Sequence, residues 1–246
     1  MTAGAQSDVA LARDIAERAG ALLMDLRRTS GLAGPALGAA GDRAADDLIH
    51  QLLAGARPDD AILSEERVCD RSRLDRSRVW IVDPLDGTRE YAEGRDDWAV
   101  HVALAIEGRP AIGAVALPAL GRVFASDPPF PLPAPAPRRR MVVSRTRPAE
   151  ACGPLCQALD AETIPMGSAG AKAMAILMGS ADIYFHSGGQ YEWDNCAPAA
   201  VAMAAGLHVS RIDGSPIRYN QPEPSVPDFL ICHRADADRI LRLIAA

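Results

Sequence analysis

Between Asp127 and Arg140 the chain reads DPPFPLPAPAPRRR, with six prolines in fourteen positions. Proline fixes φ and removes a backbone donor, so neither a helix nor a paired strand passes through this stretch. The chain must therefore be built as two parts joined by a connector, and the division predicted here is residues 1–137 and 138–246. The patterning differs on the two sides. Residues 8–27 place Leu11, Ile15, Ala19, Leu22 and Leu26 on one helical stripe, with Ser7 or Asp8 able to cap its start. A Gly-rich stretch over 31–41 predicts a loop, and a second helix is predicted from Asp42 to about Ala54, with Leu48, Ile49, Leu52 and Leu53 inward. Two short apolar runs, Ala61–Leu63 and Val79–Val82, each end in acidic residues, as buried strands that deliver carboxylates do. Trp98, Val100, Val102, Leu104 and Ile106 alternate with period two, and Ile112–Leu117 and Arg122–Ala125 extend the sheet. Beyond the prolines, strands near Met141–Ser144, Ala181–Phe185 and Asp228–Cys232 alternate with helices near Pro148–Leu159, Ala169–Met178, Asp194–Ala205 and Ala235–Ala245. The fold class is α/β, with an α+β N-terminal half and an α/β C-terminal half.

Composition narrows the partners. At 246 residues and 48% apolar content the chain can bury a sizeable core, and 24% charged residues is ordinary for a soluble protein. The net charge of −6, with no basic run, excludes a groove for a nucleic-acid polymer but not a small phosphorylated substrate held by metal ions or backbone N–H groups. The five cysteines, Cys69, Cys152, Cys156, Cys196 and Cys232, form no CxxC pair, so free thiols in a reducing cytoplasm are expected. No signal-peptide pattern and no membrane-length apolar run occur, and the expected location is cytoplasmic. Lys172 is the only lysine in the chain.

The chemistry is concentrated in Val79-Trp80-Ile81-Val82-Asp83-Pro84-Leu85-Asp86-Gly87-Thr88. A buried strand ends at Asp83, and Pro84 fixes a turn that lets Asp83 and Asp86 converge. Gly87 permits close backbone approach, and Thr88 opens a short helix whose free N–H groups favour a phosphate oxygen. Close carboxylates repel one another, and the usual remedy is a hard cation with oxygen ligands, which suits magnesium. The absence of nearby His or Cys argues against zinc. Taken alone, Asp-Pro-x-Asp-Gly also fits a surface turn, but Ser64-Glu65-Glu66 brings more acid to a similar strand end. Asp194, in Glu192-Trp193-Asp194-Asn195, reads either as the cap of the helix after it or as a carboxylate aimed from the second half.

Together, Ser64-Glu65-Glu66, Asp83-Pro84-Leu85-Asp86-Gly87-Thr88 and Trp193-Asp194 resemble the inositol monophosphatase superfamily, which includes fructose-1,6-bisphosphatases and 3′-nucleotidases of the CysQ type. The resemblance implies a layered αβαβα sandwich with metals between two subdomains. It implies a first magnesium on Glu65, Asp83 and the Leu85 carbonyl, a second on Asp83, Asp86 and Asp194, and a third, weaker one near Glu65. Glu66 would orient the attacking water or the ligands. Gly87 and Thr88, with Asp86, would hold the phosphate. Asp42 stands where the family has the acid of a Thr-x-Ala-Asp motif, although Ala39 replaces the threonine; it reads both as a partner to the Thr88 hydroxyl and as an N-cap of the second helix. The family also implies lithium inhibition and a homodimer.

The substrate branch rests on fewer residues. Arg89-Glu90-Tyr91, Gly167-Ser168-Ala169-Gly170-Ala171-Lys172, Trp193-Asp194-Asn195-Cys196-Ala197-Pro198 and Tyr219-Asn220 look like the nucleotidase branch. The expected ligand is adenosine 3′,5′-bisphosphate, with Arg89, Glu90, Ser168, Lys172, Glu192 and Tyr219 as substrate contacts and Lys172 near the 5′-phosphate. The rivals are an inositol monophosphatase or fructose-1,6-bisphosphatase, and a non-catalytic metal and phosphate sensor on the same fold. A haloacid dehalogenase reading is rejected, because Pro84 stands where its nucleophilic Asp would be. His101, within the alternating strand, is assigned no role.

Overall fold

The computed structural model describes residues 6–68 and 70–245; Cys69 lies outside the described residues. Two long helices come first. Helix α1 (Asp8–Thr29) starts where Ser7 Oγ accepts the Ala10 N–H, and its buried stripe runs Leu11, Ile15, Ala19, Leu23. Helix α2 (Gly34–Ala56) begins earlier than its glycines suggest, with Pro35 in its first turn. The predicted loop over 31–41 is thus mostly helix, because Gly38 and Gly41 serve packing. A Cβ at Gly41 would stand 3.0 Å from Leu85 and 3.1 Å from Tyr91, and one at Gly38 would stand 2.7 Å from the Thr88 methyl. Their propensity cost of about 1 kcal/mol each is offset by that approach. Asp42 therefore sits inside a helix, and the N-cap reading of it is corrected.

Strands β1 (Ala61–Ser64), β2 (Arg78–Asp86), β3 (Ala99–Ile106), β4 (Arg109–Leu117) and β5 (Arg122–Ala125) form a sheet in that order. β1 and β2 are parallel and the remaining pairs antiparallel. Helix α3 (Thr88–Ala92) leaves the end of β2. After the connector come β6 (Arg140–Ser144), α4 (Cys152–Leu159), β7 (Glu162–Met166), α5 (Ala169–Leu177), β8 (Ile183–Tyr191), α6 (Glu192–Ala204), β9 (His208–Ser210), β10 (Ser225–Cys232) and α7 (Arg234–Ile244). The second sheet is ordered β7-β6-β8-β10-β9. The edge strands β7 and β9 carry too little apolar alternation to be read from sequence, β7 being interrupted by Pro165.

Strand pleating sorts the core into layers. Trp80, Val82, Val100, Val102 and Leu104 face α1 and α2. Their alternates Val79, Ile81, Ala99, Ala103 and Ala105 face α5 and α6, together with Tyr184, Phe229 and Ile231 of the second sheet. Leu155 and Leu159 of α4 and Ile240 of α7 cover the far face of that sheet with Ile183, Phe185 and Leu230. The result is the αβαβα sandwich, with α5 and α6 as the shared middle layer. The proline connector makes no ladder pairing, as expected, but it is a fitted strap: Phe130 and Leu132 pack on the middle core. Four cysteines, Cys152, Cys156, Cys196 and Cys232, are buried free thiols.

Candidate active site

The middle layer exists to bring side chains of both halves to one place. β2 runs through Asp83 and ends at Asp86, with a register shift against β3 between the two residues. That irregularity is the bend that Pro84 imposes, and it turns both carboxylates to one mouth. From the other half, α6 begins at Glu192 and presents Asp194 in its first turn. One carboxylate oxygen from each of Asp83, Asp86 and Asp194 lies within 4.8 Å of the others. The reading of Asp194 as the N-cap of this helix is corrected: the N-cap is Tyr191, and Asp194, at the third helical position, reaches back with Oδ2 to accept the Tyr191 N–H at 2.6 Å while its carboxylate joins the cluster.

The electrostatics match this crowding. Asp83 is 1% exposed; burial, then Glu65, Asp86 and Asp194, hold its carboxyl well above the ordinary range. Burial and then Asp86 push Asp194 up to about 6. Glu65 keeps much of its surface open, yet its carboxyl reaches the cluster closely enough that burial, Asp194 and Asp86 push it up to about 7. Asp86 behaves differently: against its burial, His101, Lys172 and Ser168 hold it down to about 2. Three acids that resist ionisation beside one that ionises readily is the pattern of a cation site. The donor set is oxygen only, which fits a hard divalent ion.

Beside the cluster, Thr88 Oγ stands 3.2 Å from Asp42 Oδ1 and 3.1 Å from the Leu85 carbonyl. Burial and the nearby Glu66 carboxylate push Asp42 up to about 7. Glu66 is itself raised, by burial and by Asp46. Gly87 caps α3 with φ +89°, a conformation glycine adopts without strain.

The predicted substrate contacts divide. Arg89 is exposed on the first turn of α3. Ser168 caps α5 and donates to Asp86 Oδ2, so its hydroxyl is bound to a cluster member. Lys172 is 4% exposed; its ammonium donates to the Gly167 and Ser168 carbonyls and lies over the Tyr184 ring. Glu90 is paired with Arg145 at 2.8 Å, tying α3 to the end of β6. Two expectations are corrected. Glu192 is 1% exposed, and its two oxygens accept the Asn220 and Gln221 N–H groups at 2.7 Å each, so it clamps a loop. Tyr219 has no exposed surface and its hydroxyl meets Asn195 Oδ1 at 3.0 Å, so it has no face to offer an adenine.

Sequence reasoning passed over His101. Its Nε2 is 3.2 Å from Asp86 Oδ2 and its Nδ1 is 3.0 Å from the Trp193 carbonyl. The available signal was one ionisable residue in an otherwise apolar strand. Sequence reasoning also passed over a cavity of about 530 Å³ between the end of β6 and the middle of β8, lined by Ser144, Arg147, His186 and Gly188 among others.

Comparison with known proteins gives consistent likenesses. The family model described as "Inositol monophosphatase family" matches residues 7–127 and 139–245, leaving out the connector. The 3′-phosphoadenosine 5′-phosphate phosphatase of Mycobacterium leprae is 51% identical, over 96% of this chain and 92% of that protein. The 3′(2′),5′-bisphosphate nucleotidase CysQ of Escherichia coli is 32% identical, over 75% of this chain and 80% of its own length. The crystal structure of CysQ from Bacteroides thetaiotaomicron superposes with a TM-score of 0.79 at 25% identity, covering 93% of this chain and 98% of that one.

Proposed function

The chain belongs to the inositol monophosphatase family, and from that premise we propose that it is a magnesium-dependent phosphomonoesterase that removes the 3′-phosphate of adenosine 3′,5′-bisphosphate. The observation that carries this reading is the convergence of Asp83, Asp86 and Asp194 within 4.8 Å of one another, next to the Thr88–Asp42 pair. Glu65, Asp83 and the Leu85 carbonyl would hold one cation, and Asp83, Asp86 and Asp194 a second, with a third near Glu65. When bound, such ions supply Lewis acidity and ease the deprotonation of water.

The remaining steps belong to the chain's own groups. The Thr88 hydroxyl, donating to Asp42 Oδ1, keeps lone pairs with which to accept a proton from the attacking water. Asp42, raised to about 7, takes the proton onward near neutral pH. Glu66, one of the groups that raises Asp42, helps hold that water. The N–H groups of Gly87 and Thr88 orient a phosphoryl oxygen at the start of α3. No covalent phosphoenzyme is required.

For the substrate, the names of the relatives and the fittings of this chain agree. The cavity between β6 and β8 is the proposed seat of the nucleoside: two of its lining residues, Ser144 and Arg147, bracket Arg145, whose guanidinium holds Glu90 on the helix that starts at Thr88. Lys172 is proposed to serve the second phosphate, its hydrogen-bond partners being neutral carbonyls. The test is phosphate release from adenosine 3′,5′-bisphosphate, inositol 1-phosphate and fructose 1,6-bisphosphate compared side by side with magnesium. The bisphosphate nucleotide should be turned over fastest, and Asp83→Asn should reduce its turnover on the order of 10²–10³-fold or more. Tight nucleotide binding without release of phosphate would instead favour the sensor.

A further inference from the structure

Strand β3 alternates two kinds of residue. Val100, Val102 and Leu104 face α1 and α2, whereas Ala99, Ala103 and Ala105 face the middle helices. His101 belongs to the second set, with no exposed surface. It is the one large polar side chain in a row of alanines, and the fold is cut to receive it. A Cβ at Gly170 on α5 would run into His101 Nε2 and stand 3.0 Å from the Ala99 Cβ. Space that could have been closed by apolar packing is kept for an imidazole.

The two ring nitrogens face opposite halves of the cluster, one hydrogen-bonded and one in close contact. Nδ1 stands 3.0 Å from the Trp193 carbonyl oxygen, which can only accept, so Nδ1 donates to the residue preceding Asp194. Nε2 stands 3.2 Å from Asp86 Oδ2, without the alignment of a full hydrogen bond. The same Oδ2 takes the Ser168 hydroxyl and, at 2.7 Å, the Gly170 N–H. Two donors on Oδ2, with the His101 ring packed against the same oxygen, leave Oδ1 as the oxygen that Asp86 can turn to a cation. His101 is thus the side chain that touches the β2 half and the α6 half of the cluster at once.

We propose that His101 is a positioning residue, a spacer that fixes which oxygen Asp86 presents and sets its distance from Asp194 by holding the Trp193 carbonyl. It acts through the ligands and touches neither the cation nor the substrate. The proposal rests on the reading of Asp86 and Asp194 as metal ligands. It deepens that reading by predicting that cation affinity, rather than substrate recognition, depends on a residue of β3.

The test uses His101→Ala and His101→Asn with wild type, all metal-free at the start. Magnesium binding is read by titration calorimetry, and the fold by thermal melting without metal. His101→Ala should weaken magnesium binding at least tenfold and raise the magnesium needed for half-maximal phosphate release in parallel, while the KM for nucleotide at saturating magnesium moves less than threefold. His101→Asn, which keeps one donor in the same row, should recover part of the loss. A core-packing role predicts a lower metal-free melting temperature with unchanged magnesium binding in the folded protein. That outcome, or a failure of every His101 variant to fold, overturns the proposal. Should wild type bind magnesium but release no phosphate, the proposed activity fails, while the calorimetric comparison still decides the role of His101.

Discussion

Lys172 is the residue whose position most repays attention. It is the only lysine in the chain, and the fold buries it with its ammonium on two backbone carbonyls, beneath the turn that carries Ser168 and Gly170. Burial lowers its pKa, while Asp86 and Asp194 act to restore it. A guanidinium is not equivalent here, because its planar fork carries five N–H donors where the ammonium is met by two carbonyl acceptors. To neutralise a second phosphate, the ammonium exchanges carbonyl partners for phosphate oxygens. Lys172→Ala should therefore raise the KM for the bisphosphate nucleotide by about tenfold and that for a monophosphate ester by less than about threefold. Equal losses on both, read from initial rates, would assign Lys172 to holding the turn alone. Asp83 and Asp86 were legible as chemistry because Asp-Pro-x-Asp-Gly-Thr is a compact local signal, whereas Glu65 and Asp194 joined them only through the family resemblance. His101 was not, since one histidine in a strand gives no sign of what faces it.

At the level of elements, the proline strap shows how a segment without internal hydrogen bonds is fixed. Asp182, 1% exposed just before β8, accepts the Ala136 N–H and the Arg140 N–H at 2.9 Å each and pairs with the Arg140 guanidinium at 3.0 Å. One carboxylate thus ties the end of the connector and the start of β6 to the second sheet. Asp182→Ala leaves those donors and the half-buried guanidinium without a partner, and should cost about 3 kcal/mol in urea unfolding, with little change in the magnesium dependence of the activity. A loss under about 1 kcal/mol would mean that water replaces the carboxylate. The prolines announced a break in the chain but not that the break is packed. Likewise, the glycines of α2 looked like a loop until Thr88, Leu85 and Tyr91 were seen pressed against them. In both cases local propensity was overruled by a neighbour distant in sequence.

For the whole molecule, the cost of gathering acids sets a dependence on pH. Glu65 is raised from 4.5 to about 7 and Asp194 from 3.8 to about 6, by burial and by their neighbours. A carboxyl raised in this way holds its proton more tightly folded than unfolded. Raising the pH from about 4 to about 7 withdraws protons that the fold prefers to keep, so the metal-free protein loses stability across that window. Bound cations favour the ionised forms and offset the loss. The melting temperature without metal should therefore be lower at about pH 8 than at about pH 5.5, and the gain on adding magnesium should be larger at the higher pH. A gain independent of pH would mean that the carboxylates do not share a cation. The sequence by itself determined the α/β class, most of the elements and the converging Asp83–Asp86 turn, because hydrophobic period and turn chemistry are properties of neighbours along the chain, while the layer order and the roles of Glu65 and Asp194 were expected only from the family resemblance. Only the tertiary structure decided that Glu192 and Tyr219 serve the scaffold, and that His101 and Gly170 sit against Asp86. Those facts depend on two sheets closing over one helical layer, and distances across that closure are set by packing that no local pattern encodes.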